Sequence, residues 1–444
     1  MGKYFGTDGI RGKANVDLDA KRAFDVGRYL GYHYSKNGRG KILVGKDTRL
    51  SSSMLEMALA AGITASGADA FLIGYCPTPC VAYLAKNKDF DAGAMVSASH
   101  NPFYDNGIKI FSHAGVKLSA DIEELIEEYI DGKTEVPYRT DGDIGRVVDY
   151  HSGLDLYLDW LELEYPMDLT GLNVALDCAN GSASTTAKQL FERLNANVTV
   201  INNDPNGINI NTKCGSTHPE QLQALIKEGG YDIGFAFDGD ADRLIGVDSS
   251  GELLTGDHIL YICGKHLKSK NELPKSTVVT TVMANLGLFK SLDKEGISYV
   301  STAVGDKYVY EEMVKSGYVF GGEQSGHIIF SEHLTTGDGL LTALNIVQVM
   351  KETGRNILEL KQGLKIYPQL LVNVKVSDKE KVLNDEHINN EVKIVSDLLD
   401  NNGRILVRPS GTEPLVRVMV EAESDEVCHT MVYRIVDLIK EKYV

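Results

Sequence analysis

The sequence predicts an α/β protein: three repeated α/β domains with mixed sheets around a central cleft, plus a smaller C-terminal α+β domain. A strand–helix–strand pattern recurs three times along the chain. Each copy continues through a short helix into a third strand, and each third strand ends in a polar loop followed by a short apolar run.

The first copy is Lys41-Ile42-Leu43-Val44, ending at Gly45, a helix near 53–65 and a strand at 70–73. The second is a strand at 172–176 ending in Asp177-Cys178-Ala179-Asn180-Gly181, a helix to about 194 and a strand at 198–201. The third is a strand at 277–280, a helix from Asn285-Leu286-Gly287 to about 294 and a strand at 298–300. Short helices near 79–86, 219–227 and 307–315 lead to the third strands. At their ends stand Ser99, Asp238 and the loop Gly322-Glu323-Gln324-Ser325-Gly326-His327, and apolar runs at 108–110, 244–247 and 328–330 follow. Ligands of open α/β sheets bind beyond the carboxyl ends of the strands, so three such loops facing inward share one cleft.

Linker composition divides the chain into 1–150, 151–253, 254–368 and 369–444. The segment 131–146 is rich in Gly, Asp and charge, 251–256 closes the second repeat, and Tyr367-Pro368 closes the third. The last segment reads as a strand at 370–376, a polar helix at 379–398, strands flanking Arg408 and a final helix at 425–442.

Four loops carry chemistry. In Ala94-Met95-Val96-Ser97-Ala98-Ser99-His100-Asn101-Pro102 an apolar lead-in delivers a hydroxyl to a strand end, and Asn-Pro ends the regular element. Asp105-Asn106-Gly107 is a turn signal, predicting a reversal that brings Lys109 back beside Ser99 and His100. By itself this stretch also fits a polar loop with a helix-capping serine and a solvated lysine. In Asp238-Gly239-Asp240-Ala241-Asp242-Arg243, three carboxylates at alternate positions share a face if the backbone is extended, and oxygen-only donors suit Mg2+ before Zn2+. An EF-hand loop is excluded, because its sixth position is Arg243 rather than Gly and its twelfth is Ser249 rather than Glu.

The third loop is Arg408-Pro409-Ser410-Gly411-Thr412-Glu413-Pro414, with Arg417 beyond. Hydroxyls, a glycine and a guanidinium are what a phosphate needs, although the Walker A ending is absent. The fourth, Gly6-Thr7-Asp8-Gly9-Ile10-Arg11-Gly12, is able to present Arg11 from a flexible turn.

A formal net charge of -17 argues against non-specific nucleic-acid or anionic-membrane binding, so an anionic substrate must be held by local cations. No apolar run approaches the ~18 residues of a membrane span, and the start of the chain lacks a signal-peptide core, which predicts a cytoplasmic protein without membrane insertion. Cys76, Cys80, Cys178, Cys214, Cys263 and Cys428 are scattered and read as reduced, mostly structural thiols.

A hydroxyl, a carboxylate-bound Mg2+ and a separate phosphate loop imply phosphoryl transfer through a phosphoserine. Such a phosphoserine and three aspartates leave Mg2+ short by about three charges. Arg243, Lys109, Arg11 and His100 therefore have reason to be nearby. Glu323 and Ser325 suit the vicinal hydroxyls of a sugar, and Arg408 the phosphate that does not react.

Ser97-Ala98-Ser99-His100-Asn101-Pro102, Asp238-Gly239-Asp240-Ala241-Asp242-Arg243, the Gly322–His327 loop and Arg408–Pro414 resemble the four signature motifs of the α-D-phosphohexomutase superfamily, and the resemblance covers essentially the whole chain. The Gly6–Gly12 stretch, Cys214-Gly215-Ser216-Thr217-His218-Pro219-Glu220 and Gln324 are similar to those of its bacterial phosphoglucosamine mutase branch. The resemblance implies interconversion of glucosamine 6-phosphate and glucosamine 1-phosphate, for UDP-N-acetylglucosamine synthesis. It implies Ser99 as the phosphoserine and Asp238, Asp240 and Asp242 with a phosphoryl oxygen on Mg2+. Glucosamine 1,6-bisphosphate, or glucose 1,6-bisphosphate, is the implied intermediate and activator. Arg243, Glu323 and Ser325 fall to the substrate, Arg408, Ser410, Gly411, Thr412 and Arg417 to its phosphate, and Arg11, His100, Lys109 and His327 to the surroundings of the reacting group. The family is usually dimeric, and some bacterial members bind a diadenylate cyclase. The alternatives are a phosphoglucomutase/phosphomannomutase on the same machinery, a metal-dependent sugar phosphatase, or a sugar-phosphate-binding or cyclase-regulating protein.

Overall fold

Three sheets repeat one arrangement. The computed structural model describes residues 2–6, 8–410 and 414–444. In the first sheet the strand Lys41–Lys46 pairs in parallel with Asp69–Tyr75 and with Ala92–Val96, and Ala92–Val96 pairs antiparallel with Asp105–Ser112. The second sheet repeats this with Asn173–Asp177 between Asn197–Ile201 and Ile233–Phe237, the latter antiparallel to Leu244–Asp248. The third has Thr277–Thr281 between Ser298–Thr302 and Phe320–Gly322, the latter antiparallel to Ile328–Phe330. The third strand of each set, Ala92–Val96, Ile233–Phe237 and Phe320–Gly322, is buried at every residue. Strands covered on both faces read as continuous apolar runs rather than alternating ones, which is why the sequence showed them plainly.

Additional edge strands enlarge the first two sheets. Phe5–Gly6, Gly9–Lys13 and Val147–Asp149 bring the first to seven strands, and Leu253–Leu254 brings the second to five. The chain divides into two compact units, Met1–Met283 with Ile297–Gln362, and Ala284–Gly296 with Gly363–Val444. The first holds the three repeated sheets. The second has its own antiparallel sheet in the order Gln369–Lys375, Leu415–Glu421, Arg404–Pro409. Val416, Val418 and Val420 alternate inward from its central strand onto the helix Asp425–Tyr443, which contributes Val432, Ile435 and Ile439.

Four local expectations are corrected. Asp105-Asn106-Gly107 opens a strand; the reversal lies earlier, where Asn101 N–H donates to Ala98 O and Asp105 N–H to Pro102 O, both at 3.1 Å. The Asn106 amide donates to the Ser51 and Ser52 hydroxyls rather than closing an Asx turn. A Cβ on Gly107 would meet Ser97 O at 2.5 Å, so the glycine serves close strand approach. Arg11 sits on a strand, paired with Gly107, rather than on a flexible turn. The helix expected to run to about 194 begins with a 3-10 turn, Ser182–Thr185, before Ala187–Arg193. The polar helix expected at 379–398 is two, Lys379–Leu383 and Glu386–Leu399, because the Asp385 carboxylate caps the N–H groups of His387 and Ile388. Among the described residues no helix is long and apolar enough to cross a membrane, and all six cysteines are buried and free.

Candidate active site

The loops after the three buried strands meet within the first unit. Val96 leads to Ser99, whose backbone is left-handed at φ 52° and whose Oγ donates to Asp238 Oδ2 at 2.5 Å. The same Oγ lies 3.3 Å from His100 Nδ1. With the hydroxyl proton aimed at Asp238, a hydrogen on Nδ1 completes that contact.

Asp238, Asp240 and Asp242 converge by a turn and not, as expected, along an extended strand. Ala241 has φ 56° and its N–H donates to Asp238 O at 3.1 Å. One oxygen from each carboxylate lies within 4.8 Å of the others, and all three residues are buried. Alternate side chains of an extended strand stand about 6.6 Å apart, so the turn is what draws the group together. Burial, then repulsion from Asp242 and Asp240, raises the Asp238 carboxyl well above its ordinary range. Asp242 goes the other way: burial is outweighed by Lys109 and His327, which hold it well below.

Cations ring this group. Lys109, 2% exposed, places Nζ 2.8 Å from Asp240, 2.9 Å from Asp242 and 3.2 Å from Asp8. Its buried ammonium loses solvation, yet the three carboxylates raise its pKa well above 10.5. Arg11 pairs with Asp8. Arg243 gives its backbone N–H to Asp238 Oδ1 at 3.2 Å, and its guanidinium Nε lies 3.9 Å from Asp242. Burial, with Arg243 and Arg11 adding repulsion, lowers His100 to about 4, so its ring is neutral at physiological pH.

The carboxylates fit a hard cation. Asp240 Oδ1 and Asp242 Oδ1 are buried without a hydrogen-bond partner, and the donor set is all oxygen. Two orphaned carboxylate oxygens at one place are costly unless a cation takes them.

The third repeat adds Glu323 and His327. Glu323 is buried and accepts from Gly305 N–H at 3.0 Å, while Ser325 beside it is half-buried. The loop is fastened to the strand that leaves the Asp238–Asp242 loop by Leu244 N–H donating to Gly326 O at 3.0 Å. Gly326 has φ 92°, and a Cβ there would meet Leu244 O at 2.1 Å. His327 Nε2 accepts from Gly337 N–H at 2.9 Å, and Nδ1 faces Asp242 at 3.8 Å. Burial disfavours a charge on this ring, but Asp306 and Asp242 raise its pKa.

In the second unit Arg408 lies within the strand Arg404–Pro409, not between strands, and stands opposite Arg417 in register. Burial and the Arg417 charge lower the Arg408 pKa. Two guanidinium groups in register on neighbouring strands offer the kind of donors that an anion takes. Lys379 Nζ donates to Ser410 O at 2.7 Å. Gly411 and Thr412 lie outside the described residues.

Several residues at the site went unnoticed in the sequence. Thr78 gives its N–H to Asp240 O at 2.9 Å and its hydroxyl to the Asp240 carboxylate. It stands between two prolines in Cys76-Pro77-Thr78-Pro79-Cys80. Lys117 bridges Asp8 at 2.6 Å and Asp306 at 2.7 Å, and although burial opposes the charge these partners raise it to about 12. Arg49 and Asn211 both reach Ser99 O. No spacing rule marks these, because their partners are more than a hundred residues away or sit behind the loop.

Family models for phosphoglucomutase/phosphomannomutase match nearly the whole chain: alpha/beta/alpha domain I at residues 2–137, domain II at 157–251, domain III at 255–367 and the C-terminal domain at 371–438. The phosphoglucosamine mutase of Lachnoclostridium phytofermentans is 52% identical over 443 residues, covering 100% of this chain and 99% of its own. That of Lachnospira eligens is 53% identical over 446 residues with the same coverage. A crystal structure of a phosphoglucomutase/phosphomannomutase family protein from Burkholderia thailandensis superposes with a TM-score of 0.83 at 26% identity, over 100% of this chain and 99% of that one.

Proposed function

The chain belongs to the phosphoglucomutase/phosphomannomutase family, and we propose that within it the chain interconverts glucosamine 6-phosphate and glucosamine 1-phosphate, an isomerase step of amino-sugar metabolism. The observation that carries this reading is the Ser99 hydroxyl 2.5 Å from Asp238 in a buried three-carboxylate group. It is joined by full-length similarity to phosphoglucosamine mutases.

On this reading Ser99 carries a phosphoryl group and gives it to the free sugar hydroxyl. The P–O bond to Ser99 breaks as the bond to the sugar forms, yielding glucosamine 1,6-bisphosphate. The bisphosphate turns over, and the other phosphoryl group returns to Ser99. Asp238, Asp240 and Asp242 hold Mg2+, which when bound neutralises charge on the transferring phosphoryl oxygens. Lys109, Arg11 and Arg243 supply positive charge to the same place, and they are held there by carboxylates rather than recruited from solvent. His100, neutral and 3.3 Å from Ser99 Oγ, holds that oxygen with its Nδ1 hydrogen, and the proton lost by the sugar hydroxyl ends on the serine oxygen as the P–O bond breaks. His327 orients Asp242, Glu323 and Ser325 take the sugar hydroxyls, and Arg408, Ser410, Gly411, Thr412 and Arg417 take the phosphate that does not react. The segments 1–150, 151–253, 254–368 and 369–444 then contribute phosphoserine, metal, sugar and phosphate loops respectively. Cytoplasmic residence, a homodimer and, in some bacteria, a diadenylate cyclase partner belong to the same proposal.

Side-by-side turnover of glucosamine, glucose and mannose 1-phosphates tests the substrate. Glucosamine 1-phosphate should give the highest kcat/KM. Preference for a neutral sugar contradicts the proposal, and stoichiometric release of free phosphate would instead mark a phosphatase.

A further inference from the structure

Ser99 holds a backbone conformation that a non-glycine residue disfavours, φ 52°. Such a conformation persists only where its surroundings over-determine it. Here the surroundings act on its backbone. Ser99 N–H donates to Ser97 Oγ at 2.9 Å, and Ser97 Oγ donates to Asp47 Oδ2 at 2.7 Å. Ser99 O accepts from two sides: from Arg49 Nη2 at 2.7 Å, out of the first repeat, and from Asn211 Nδ2 at 2.8 Å, out of the second.

Both donors are themselves fixed. Arg49 and Asp47 form an ion pair at 2.9 Å with no side-chain exposure on either partner, and Asp47 also accepts from Ser52 Oγ at 2.7 Å. A second Arg49 nitrogen donates to Pro102 O, so one guanidinium spans both ends of the loop. Asn211 also donates to Asn101 O at 3.1 Å and has its own left-handed backbone at φ 57°. The metal loop closes on the same carbonyl: a Cβ on Gly239 would meet Ser99 O at 2.5 Å and Asn211 Nδ2 at 2.8 Å. A buried ion pair is weak evidence for stability, since apolar residues of like volume often serve as well, so its use here needs another reason.

We propose that Arg49 and Asn211 form a positioning clamp on the Ser99 carbonyl, which aims the phosphoryl-carrying hydroxyl at the metal loop of the neighbouring repeat. Neither side chain touches the transferred group; each acts through the Ser99 backbone. The inference rests on the reading of Ser99 as phosphoryl carrier. A displacement of about 1 Å in a reacting atom costs on the order of 100-fold in rate, so a loosened carbonyl shows in kcat before it shows in binding.

The test compares the full chain with Arg49→Lys, which keeps a cation beside Asp47 but loses the fork, and with Asn211→Gly, which tolerates the left-handed backbone but loses the amide. Asn195→Gly, at an exposed left-handed asparagine (φ 65°), controls for glycine itself. Measured for each are kcat and KM with glucosamine 1-phosphate, the single-turnover rate of Ser99 phosphorylation by glucosamine 1,6-bisphosphate, and Tm. The clamp predicts a fall of about 10- to 100-fold in kcat and in the phosphorylation rate for both variants, with KM within about twofold, and no change in the control. If Arg49→Lys does not fold, Asn211→Gly decides. Unchanged phosphorylation rates per folded molecule, whatever the Tm, overturn the clamp alone. A parent protein that takes no phosphoryl group at Ser99 overturns the carrier reading first and the clamp with it.

Discussion

Ser99 Oγ and Asp238 Oδ2 stand 2.5 Å apart although 139 residues separate them along the chain. One belongs to the loop after Ala92–Val96 and the other to the loop after Ile233–Phe237, equivalent strands of successive repeats. Recurrence of one supersecondary unit thus sets a hydroxyl of one repeat against a carboxylate group of the next.

Ser99→Ala removes the hydroxyl while leaving the carbonyl and N–H contacts of the loop. Turnover should fall by at least roughly 1,000-fold, since the covalent relay is lost. Steady-state assay beside a Tm measurement checks this, and a variant with more than a tenth of parent activity would refute a carrier role.

Asp240→Asn takes one carboxylate from the group of three and leaves Thr78 a partner. Mg2+ affinity should weaken at least about tenfold. Calorimetric titration of the substrate-free protein reads this without reference to activity, and an unchanged Kd would place the ion elsewhere.

Lys109→Met strands Asp240, Asp242 and Asp8 without their shared cation. Removing one partner from a buried ion pair costs about 3–5 kcal/mol. Added Mg2+ should restore part of that, because it meets the same carboxylates. Urea unfolding with and without Mg2+ checks both halves; equal losses in the two conditions would separate the lysine from the metal group.

Asp338 caps the helix Gly339–Thr353, accepts from Tyr157 at 2.7 Å, and is raised from 3.8 to about 6, burial being the main cause. A proton therefore binds the folded state more tightly than the unfolded one. The stability it confers is fully present below pH 3.8 and lost as the pH rises through about 6. Asp338→Asn, which still caps, should be more stable than the parent at pH 7.5 by up to about 3 kcal/mol, with the difference vanishing below about pH 4. Tm measured across pH checks it, and a gain independent of pH would contradict it.

The repeats were legible because their third strands are buried on both faces and stand out as apolar runs, each ended by a polar loop. Ser99 and the Asp238–Asp242 triplet were legible as dense local patterns. Local geometry was less so: a turn rather than an extended strand gathers the carboxylates, and Asp105-Asn106-Gly107 proved to be strand because Ser51 and Ser52 engage Asn106. The supports were not legible at all. Thr78, Arg49, Asn211 and Lys117 gain their meaning from partners that only folding brings near, and one Asn or Lys in a polar stretch resembles any other.

The central claim is that Ser99 lends and reclaims a phosphoryl group. Intact and peptide mass of the purified protein, taken with activity before and after treatment with glucosamine 1,6-bisphosphate, tests it most directly. The account predicts a single phosphoryl group on the Ser99 peptide, with activity proportional to its occupancy. Full activity in protein whose Ser99 peptide carries no phosphoryl group at any stage of turnover would contradict it.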